Sequence, residues 1–220
     1  MTSIRHLLVC LTFTAAAAAA QTPSHLDTVL HQMDVASAKF QSAQADMKQD
    51  LYERVVKQTT TQTGIIYFLR KGSATQMGGK IMPPTAKTYE YKDNLLRVYD
   101  PGTKQVTKVS SKGKEAQVES FLTLGWGGSG RDLAKNWTIT DQGTEPITDG
   151  GRTITTTKLD LVPKDQSVAN MFSHITIWVD TDRDISLRQK FFTPSEDTRT
   201  TAYSNIRYNQ KVDLKPFDFK

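Results

Sequence analysis

From Ala43 the side chains alternate with a period of two: Ala43, Ala45, Met47 and Leu51 interleave with Gln44, Asp46, Lys48 and Asp50. This is the period of a β-strand with one buried and one wet face. Next, the β-forming run Gln58-Thr-Thr-Thr-Gln-Thr63 leads into the dense apolar Gly64-Ile-Ile-Tyr-Phe-Leu-Arg70, and the two blocks predict a hairpin. Further strands are predicted over 87–92, 95–99 and 104–109, with turns at Lys92-Asp-Asn94 and Asp100-Pro-Gly102. The pattern resumes over 138–140, 153–161, 172–180, 186–193 and 199–208. In 172–180, Ile175, Ile177 and Val179 fall on one face, and His174, Thr176 and Trp178 on the other.

Two stretches break this rhythm. Leu26, Val29, Leu30 and Met33 recur at helical spacing behind Thr22-Pro-Ser-His-Leu-Asp27, where Pro23 or Ser24 starts a helix and Asp27 completes a capping box. That helix is expected to run about 15 residues, to near Lys39. The second is Glu119 to Trp137, apolar, then glycine-rich, then amphipathic: Phe121, Leu122 and Leu124 fit one short helix, and Ser129 or Asp132 caps another holding Leu133 and Ala134. The whole reads as α+β, with about ten strands in an antiparallel meander. So large a sheet must close on itself or be covered, and the two helical stretches are the available covers.

The N-terminus sets the compartment. Arg5, the apolar run Leu7 to Phe13 and the alanines 15–20 form a secretory signal peptide over residues 1–20, leaving one mature domain over 21–220. Its apolar run is far short of the roughly 20 residues of a membrane-spanning helix. Cys10, the only cysteine, lies inside that run, so the mature chain has no thiol chemistry, and its placement does not suit a lipid anchor. The full chain has 28 Lys and Arg against 23 Asp and Glu; without Arg5 the formal charge is +4. The excess is spread along the chain, without the basic stripe that nucleic-acid binding uses.

Several motifs suggest chemistry and then fall short. Gly125-Trp-Gly-Gly-Ser-Gly130 lacks both the Lys-Ser/Thr of a phosphate loop and the βαβ setting of a dinucleotide site, so it reads as a turn between short helices. Asp180-Thr-Asp-Arg-Asp184 opens like a calcium loop, but Ile185 stands where glycine is required and Phe191 where a bidentate Glu belongs; a charged hairpin turn is the better reading. His25 and His31 are six apart, on different helix faces, and Ser173-His174 forms no recognisable triad pattern. No catalytic, metal or cofactor site is expected, and a secreted Ser/His/Asp hydrolase is the remote alternative. Trp126, Trp137 and Trp178 read as core or cavity residues, and Arg70 closes an apolar strand on the face of Ile66 and Phe68.

Taken in order, Gly64-Ile-Ile-Tyr-Phe-Leu-Arg70, Leu95-Leu-Arg-Val-Tyr-Asp-Pro101, Gly128-Ser-Gly-Arg-Asp-Leu133, Leu159-Asp-Leu-Val-Pro-Lys164, Ile175-Thr-Ile-Trp-Val-Asp180 and Tyr203-Ser-Asn-Ile-Arg-Tyr-Asn209 resemble the LolA-like periplasmic lipoprotein carriers across almost the whole mature chain. The resemblance implies an incomplete antiparallel β-barrel of about eleven strands, with an N-terminal helix and a central helical lid over a hydrophobic cavity. It implies a monomeric periplasmic carrier that takes lipoprotein acyl chains from an inner-membrane ABC transporter to an outer-membrane acceptor. A lipid- or lipoprotein-sensing regulator of the same fold is the alternative. In the family an arginine six residues after a strand glycine helps hold the lid; Gly64 and Arg70 match, although Lys71 replaces the usual following proline and Gly72 to Pro84 is longer than usual. The cavity and lid are expected to draw on Met47, Ile66, Phe68, Arg70, Tyr89, Tyr91, Leu96, Val98, Phe121, Leu122, Leu124, Trp126, Leu133, Ile175, Ile177 and Val179.

Overall fold

The computed structural model describes residues 24–72 and 74–219; the expected signal peptide and Cys10 lie outside the described residues. The chain begins with helix α1 (His25–Ser37), followed by strands β1 (Ser42–Glu53), β2 (Gln58–Lys71), β3 (Ala74–Ile81), β4 (Lys87–Lys92), β5 (Leu95–Asp100) and β6 (Gln105–Ser110). Helices α2 (Glu115–Leu122) and α3 (Gly130–Asn136) interrupt the sheet. It resumes as β7 (Trp137–Asp149) and β8 (Arg152–Pro163), then the short α4 (Gln166–Ala169), then β9 (His174–Asp180), β10 (Ile185–Phe192) and β11 (Thr198–Tyr208).

All eleven strands form one antiparallel sheet in the order β6-β5-β4-β3-β2-β1-β11-β10-β9-β8-β7. The sheet is not closed: β6 and β7 are its two edges, and the architecture is the incomplete barrel with helices that the sequence motifs imply. No helix among the described residues is long and apolar enough to cross a membrane.

Local chemistry explains most boundaries. Ser24 caps α1 reciprocally: its Oγ accepts the Asp27 N–H at 3.1 Å, and Asp27 Oδ2 accepts the Ser24 N–H at 3.1 Å. The helix ends at Ser37, two residues before the expected Lys39, because the Lys39 and Phe40 N–H groups turn back to Ala36 and Ser37 carbonyls. β7 runs to Asp149, well past the predicted Thr140, through a register shift between Asp141 and Thr144.

One strand escaped the pattern. β3, Ala-Thr-Gln-Met-Gly-Gly-Lys-Ile, carries Gly78 and Gly79 where a strand ordinarily carries large side chains. A Cβ on Gly78 would lie 2.4 Å from the Tyr67 ring, and one on Gly79 would lie 2.2 Å from Tyr89 Cζ. The tyrosines of β2 and β4 therefore cover β3 from opposite faces, and the strand loses its alternation to make room for them.

Register sorts the side chains into two faces. On the inner, helix-covered face one row runs Val98, Tyr89, Gly79, Ile66 and Ala45, and the next runs Leu96, Tyr91, Met77, Phe68 and Ala43. On the other flank Leu159, Ile177 and Gln189 form one row and Leu161, Ile175 and Phe191 another. The outer face carries Tyr67, Arg97, Tyr99 and Trp178. There the C-terminal turn Lys215–Phe217 lays Phe217 edge-on to Tyr67 (4.6 Å) and stacks Phe219 on Tyr99 (5.7 Å). Trp178 lies between the cations of Lys158 and Arg188 and donates its Nε1–H to Glu145 Oε2 at 2.7 Å, which makes it an outer-face anchor.

Candidate functional site

The insertion after β6 crosses the inner face as a clasped arm. α2 straddles the sheet's two halves: Leu122 and Val118 pack toward Phe68, Tyr91 and Trp126, while Phe121 stacks with Phe172 at 5.7 Å and meets Phe191 edge-on at 6.1 Å. The chain then extends through Gly125-Trp126-Gly127, where Trp126 forms a lone antiparallel bridge with Ile185, before Ser129 caps α3 by accepting the Asp132 N–H. Gly125 and Gly127 have φ of +68° and +76°, a region that favours glycine. The approach is also close, since a Cβ on Gly127 would lie 2.4 Å from the Phe40 ring.

Arg70 is the clasp. At the end of β2, on the face of Ile66 and Phe68, it donates from Nη1 to the Ser37 carbonyl at 2.8 Å and from Nη2 to the Gly127 carbonyl. Ser37 Oγ donates to the same Gly127 carbonyl at 2.7 Å. The guanidinium thus joins the end of α1 to the arm, with its carbon 5.6 Å from the Phe40 ring centre. The arm's other edge is held by β10: the Gly127 N–H donates to the Asp184 carbonyl at 3.0 Å, the Ser186 N–H to the Gly125 carbonyl, and Gln189 Nε2 to the Leu124 carbonyl.

A cavity of about 750 Å³ opens beside this arm. Its apolar wall is Met33, Phe121, Leu124, Leu133, Trp137 and Val168, and its polar side includes Arg70, Ser129, Asp132, Lys135 and Lys164. Of the residues expected to line a cavity, Arg70, Phe121, Leu124 and Leu133 do so here. Met47, Ile66, Phe68 and Tyr91 are buried under Trp126, with Tyr89, Leu96 and Leu122 partly buried against them. Val98 shares their face through its register with Tyr89. Ile175, Ile177 and Val179, each wholly inaccessible to solvent, lie in a second cluster with Val29, Met33, Leu133 and Leu159. The structure therefore brings the expected residues onto one face but fills most of that face with the protein's own side chains.

Sequence reasoning missed Asp184. Read as a charge in a hairpin turn, it is instead completely buried, with φ of +52° and no hydrogen-bond partner for either carboxylate oxygen among the described residues. Burial raises its pKa well above the usual carboxylate value; nearby Arg70 opposes the rise and Asp34 adds to it. The turn itself is built by Asp180, whose carboxylate accepts from the Asp182 N–H and from Arg183 Nε at 2.7 Å. Nothing in the sequence separates Asp184 from Asp180 and Asp182; only the arm folding over the turn does. At Ser173-His174, the His174 ring pairs with Asp160 at 2.7 Å, while the Ser173 hydroxyl donates to the Phe192 carbonyl.

No family model and no curated protein matches the chain. Solved structures share its fold. MucB matches with a TM-score of 0.54 at 12% identity, over 89% of this chain and 62% of MucB. The Pseudomonas aeruginosa MucA/MucB complex matches with a TM-score of 0.50 at 12% identity, again over 62% of that chain and 90% of this one. The LolA superfamily protein NE2245 from Nitrosomonas europaea is also similar, with a TM-score of 0.42 and 15% identity over 90% of this chain and 99% of that one. The likeness to MucB is one of fold.

Proposed function

We propose that this protein is exported by its N-terminal segment into the periplasm and carries lipoproteins between membranes, shielding their acyl chains on the inner face of its sheet. The observation that carries the proposal is an extensive aromatic and aliphatic inner face beneath an arm that an arginine clasps on one edge and β10 hydrogen-bonds on the other. Each methylene taken from water onto such a face contributes roughly 0.8 kcal/mol, enough over an acyl chain to hold it during transit. Delivery then requires a cover with two states close in free energy. A clasp of two hydrogen bonds to carbonyls, next to glycines on both sides of one tryptophan, is a cover of that kind. An inner-membrane transporter would load the carrier and an outer-membrane acceptor would unload it.

A second reading is a sensor of lipid or lipoprotein that signals through a protein partner. The likeness to MucB, seen in complex with MucA, favours it. Native mass spectrometry of the protein purified from a periplasm should show bound lipid or lipoprotein under either reading; a lipid-free mass across several expression conditions would count against both. Carrier and sensor then separate on transfer. The carrier moves labelled lipoprotein from loaded protein to acceptor membranes, whereas the sensor retains it and changes its affinity for a partner protein. Phe121→Glu places a charge among Phe172 and Phe191 at the lid seam and should impair cargo retention in either case.

A further inference from the structure

The covered face is not empty. Trp126 is the largest of its fully buried side chains; it stacks on Phe68 with ring centres 4.7 Å apart and planes at 11°, and meets Tyr203 edge-on at 4.8 Å. Two features set it apart from an ordinary core tryptophan. First, its indole N–H is buried and, like that of Trp137, makes no hydrogen bond among the described residues, while the neighbouring Tyr203 hydroxyl donates to Gln189 Oε1 at 3.0 Å. A buried tryptophan usually finds a partner for that N–H, and leaving one unpaired is unfavourable. Second, it stands on a Gly-Trp-Gly arm joined to the sheet by one β-bridge and by side-chain hydrogen bonds from Arg70 and Gln189, and both flanking glycines line the open cavity on the arm's other side. The arm thus has an open cavity of about 750 Å³ along one side and, on the other, the aromatic face that Trp126 covers.

We infer that the slot between Phe68 and Tyr203 is an acyl-chain binding site, which Trp126 fills as an internal stand-in when no ligand is bound. This rests on the lipid-carrier reading above and adds to it where the chain lies and what it displaces. The indole shares with an acyl chain an apolar surface that can cover Phe68 within the cluster holding Ile66 and Met47. When a chain enters, the indole leaves the slot for the cavity beside the arm, and its N–H gains access to water. The displaced tryptophan is therefore a competitor, and binding strength depends on how often the slot is vacant. If the indole occupies the slot in about nine molecules of ten, removing it raises apparent affinity about tenfold. An ordinary wall residue behaves in the opposite sense, because deleting it removes contacts with the ligand.

The test uses the delipidated mature chain and a fluorescent palmitoylated peptide as probe. Trp126→Ala and Trp126→Leu should each bind the probe more tightly than the wild type, by about tenfold for alanine, with leucine in between. Weaker or unchanged binding by folded variants overturns the inference while leaving the carrier reading intact. Wild-type chain labelled with 5-fluorotryptophan supplies a readout that needs no cavity. The ¹⁹F resonance assigned to Trp126, by comparison with Trp126→Phe, should shift on saturation toward a solvent-exposed position, while that of Trp178 on the outer face stays in place. A stationary Trp126 resonance on saturation overturns the inference even where the alanine variant fails to fold. Absence of probe binding by the wild type and every variant overturns both readings.

Discussion

The two flanks of the inner face are built from different materials. Over β8 to β10 the face is chiefly aliphatic beside Phe191 and Gln189, and Leu159, Leu161, Ile175, Ile177 and Val179 are buried beneath α1, α3 and α4, whose Met33, Leu133 and Val168 also wall the cavity. Over β2 to β5 it is aromatic and glycine-floored: Phe68, Tyr89 and Tyr91 face Gly79 and Met77, every residue of β5 is only partly buried, and the arm is the main cover. The first flank has the interdigitated branched side chains of a core that stays shut. The second has flat rings and a tryptophan on a glycine-flanked arm, and the cavity on the arm's other side is walled by Met33, Leu124, Leu133, Trp137 and Val168 from above the first flank. One flank is scaffold and the other is site, although alternation alone makes them look alike.

Substitutions that distinguish the flanks test this division most strongly. Ile177→Ala or Leu159→Ala, each removing a fully buried aliphatic group, should lower stability by about 2–5 kcal/mol in urea unfolding and leave probe affinity unchanged once the protein is folded. Leu96→Ala, on the partly buried flank, should cost less than half as much stability and weaken probe binding. If Ile177→Ala instead damages binding at little cost in stability, the two assignments are reversed.

The clasp should come next in size. Arg70→Gln removes a charged donor shared by two carbonyls, each such hydrogen bond being worth about 1.5–3 kcal/mol, and should release the arm rather than unfold the sheet. Amide exchange should quicken around residues 125–130 and remain slow in β8 and β9. Lysine should rescue poorly, since a single ammonium lacks the planar fork that reaches both the Ser37 and Gly127 carbonyls.

Asp184 should give a comparable effect with a pH signature. Its raised pKa means that the native chain holds a proton which the unfolded chain has already released. Stability therefore falls as pH rises from the ordinary carboxylate range, until Asp184 itself ionises, and the full penalty persists above that point. Asp184→Asn should remove this slope and stabilise the protein by about 1–3 kcal/mol at neutral pH. Denaturation midpoints between pH 4 and 8 would show it, and an unchanged slope would mean that the carboxylate finds a partner in solution.

Much of this fold could be read from the residues themselves. Ser24 and Asp27 announce the helix, the alternation from Ala43 to Asp50 gives the strand and its faces, and Arg70 stands out as a charge ending an apolar run. What could not be read depends on contacts distant in sequence. β3 is hidden because Gly78 and Gly79 yield their space to Tyr67 and Tyr89, an exchange invisible within eight residues. Asp184 resembles exposed Asp182 in sequence until the arm from residues 125–127 covers it. Trp126 reads in the sequence as a core or cavity residue, and no local pattern distinguishes a side chain that lines a slot from one that occupies it.

The smallest effect belongs to the scaffold flank's edge, where His25 at the start of α1 hydrogen-bonds Asp141 on β7. That hydrogen bond is the main cause holding the Asp141 pKa below its usual value, so its contribution is present above the ordinary carboxylate pKa and disappears as pH falls through the lowered one. His25 is more than half exposed, which leaves the pair open to solvent screening. His25→Ala should therefore lower stability by less than about 1 kcal/mol at neutral pH and by still less once Asp141 is protonated. A larger loss, or one confined to the aromatic flank's exchange rates, would mean that α1 moves with the arm it touches through Ser37. The boundary between scaffold and site would then run along the helix rather than between the strands.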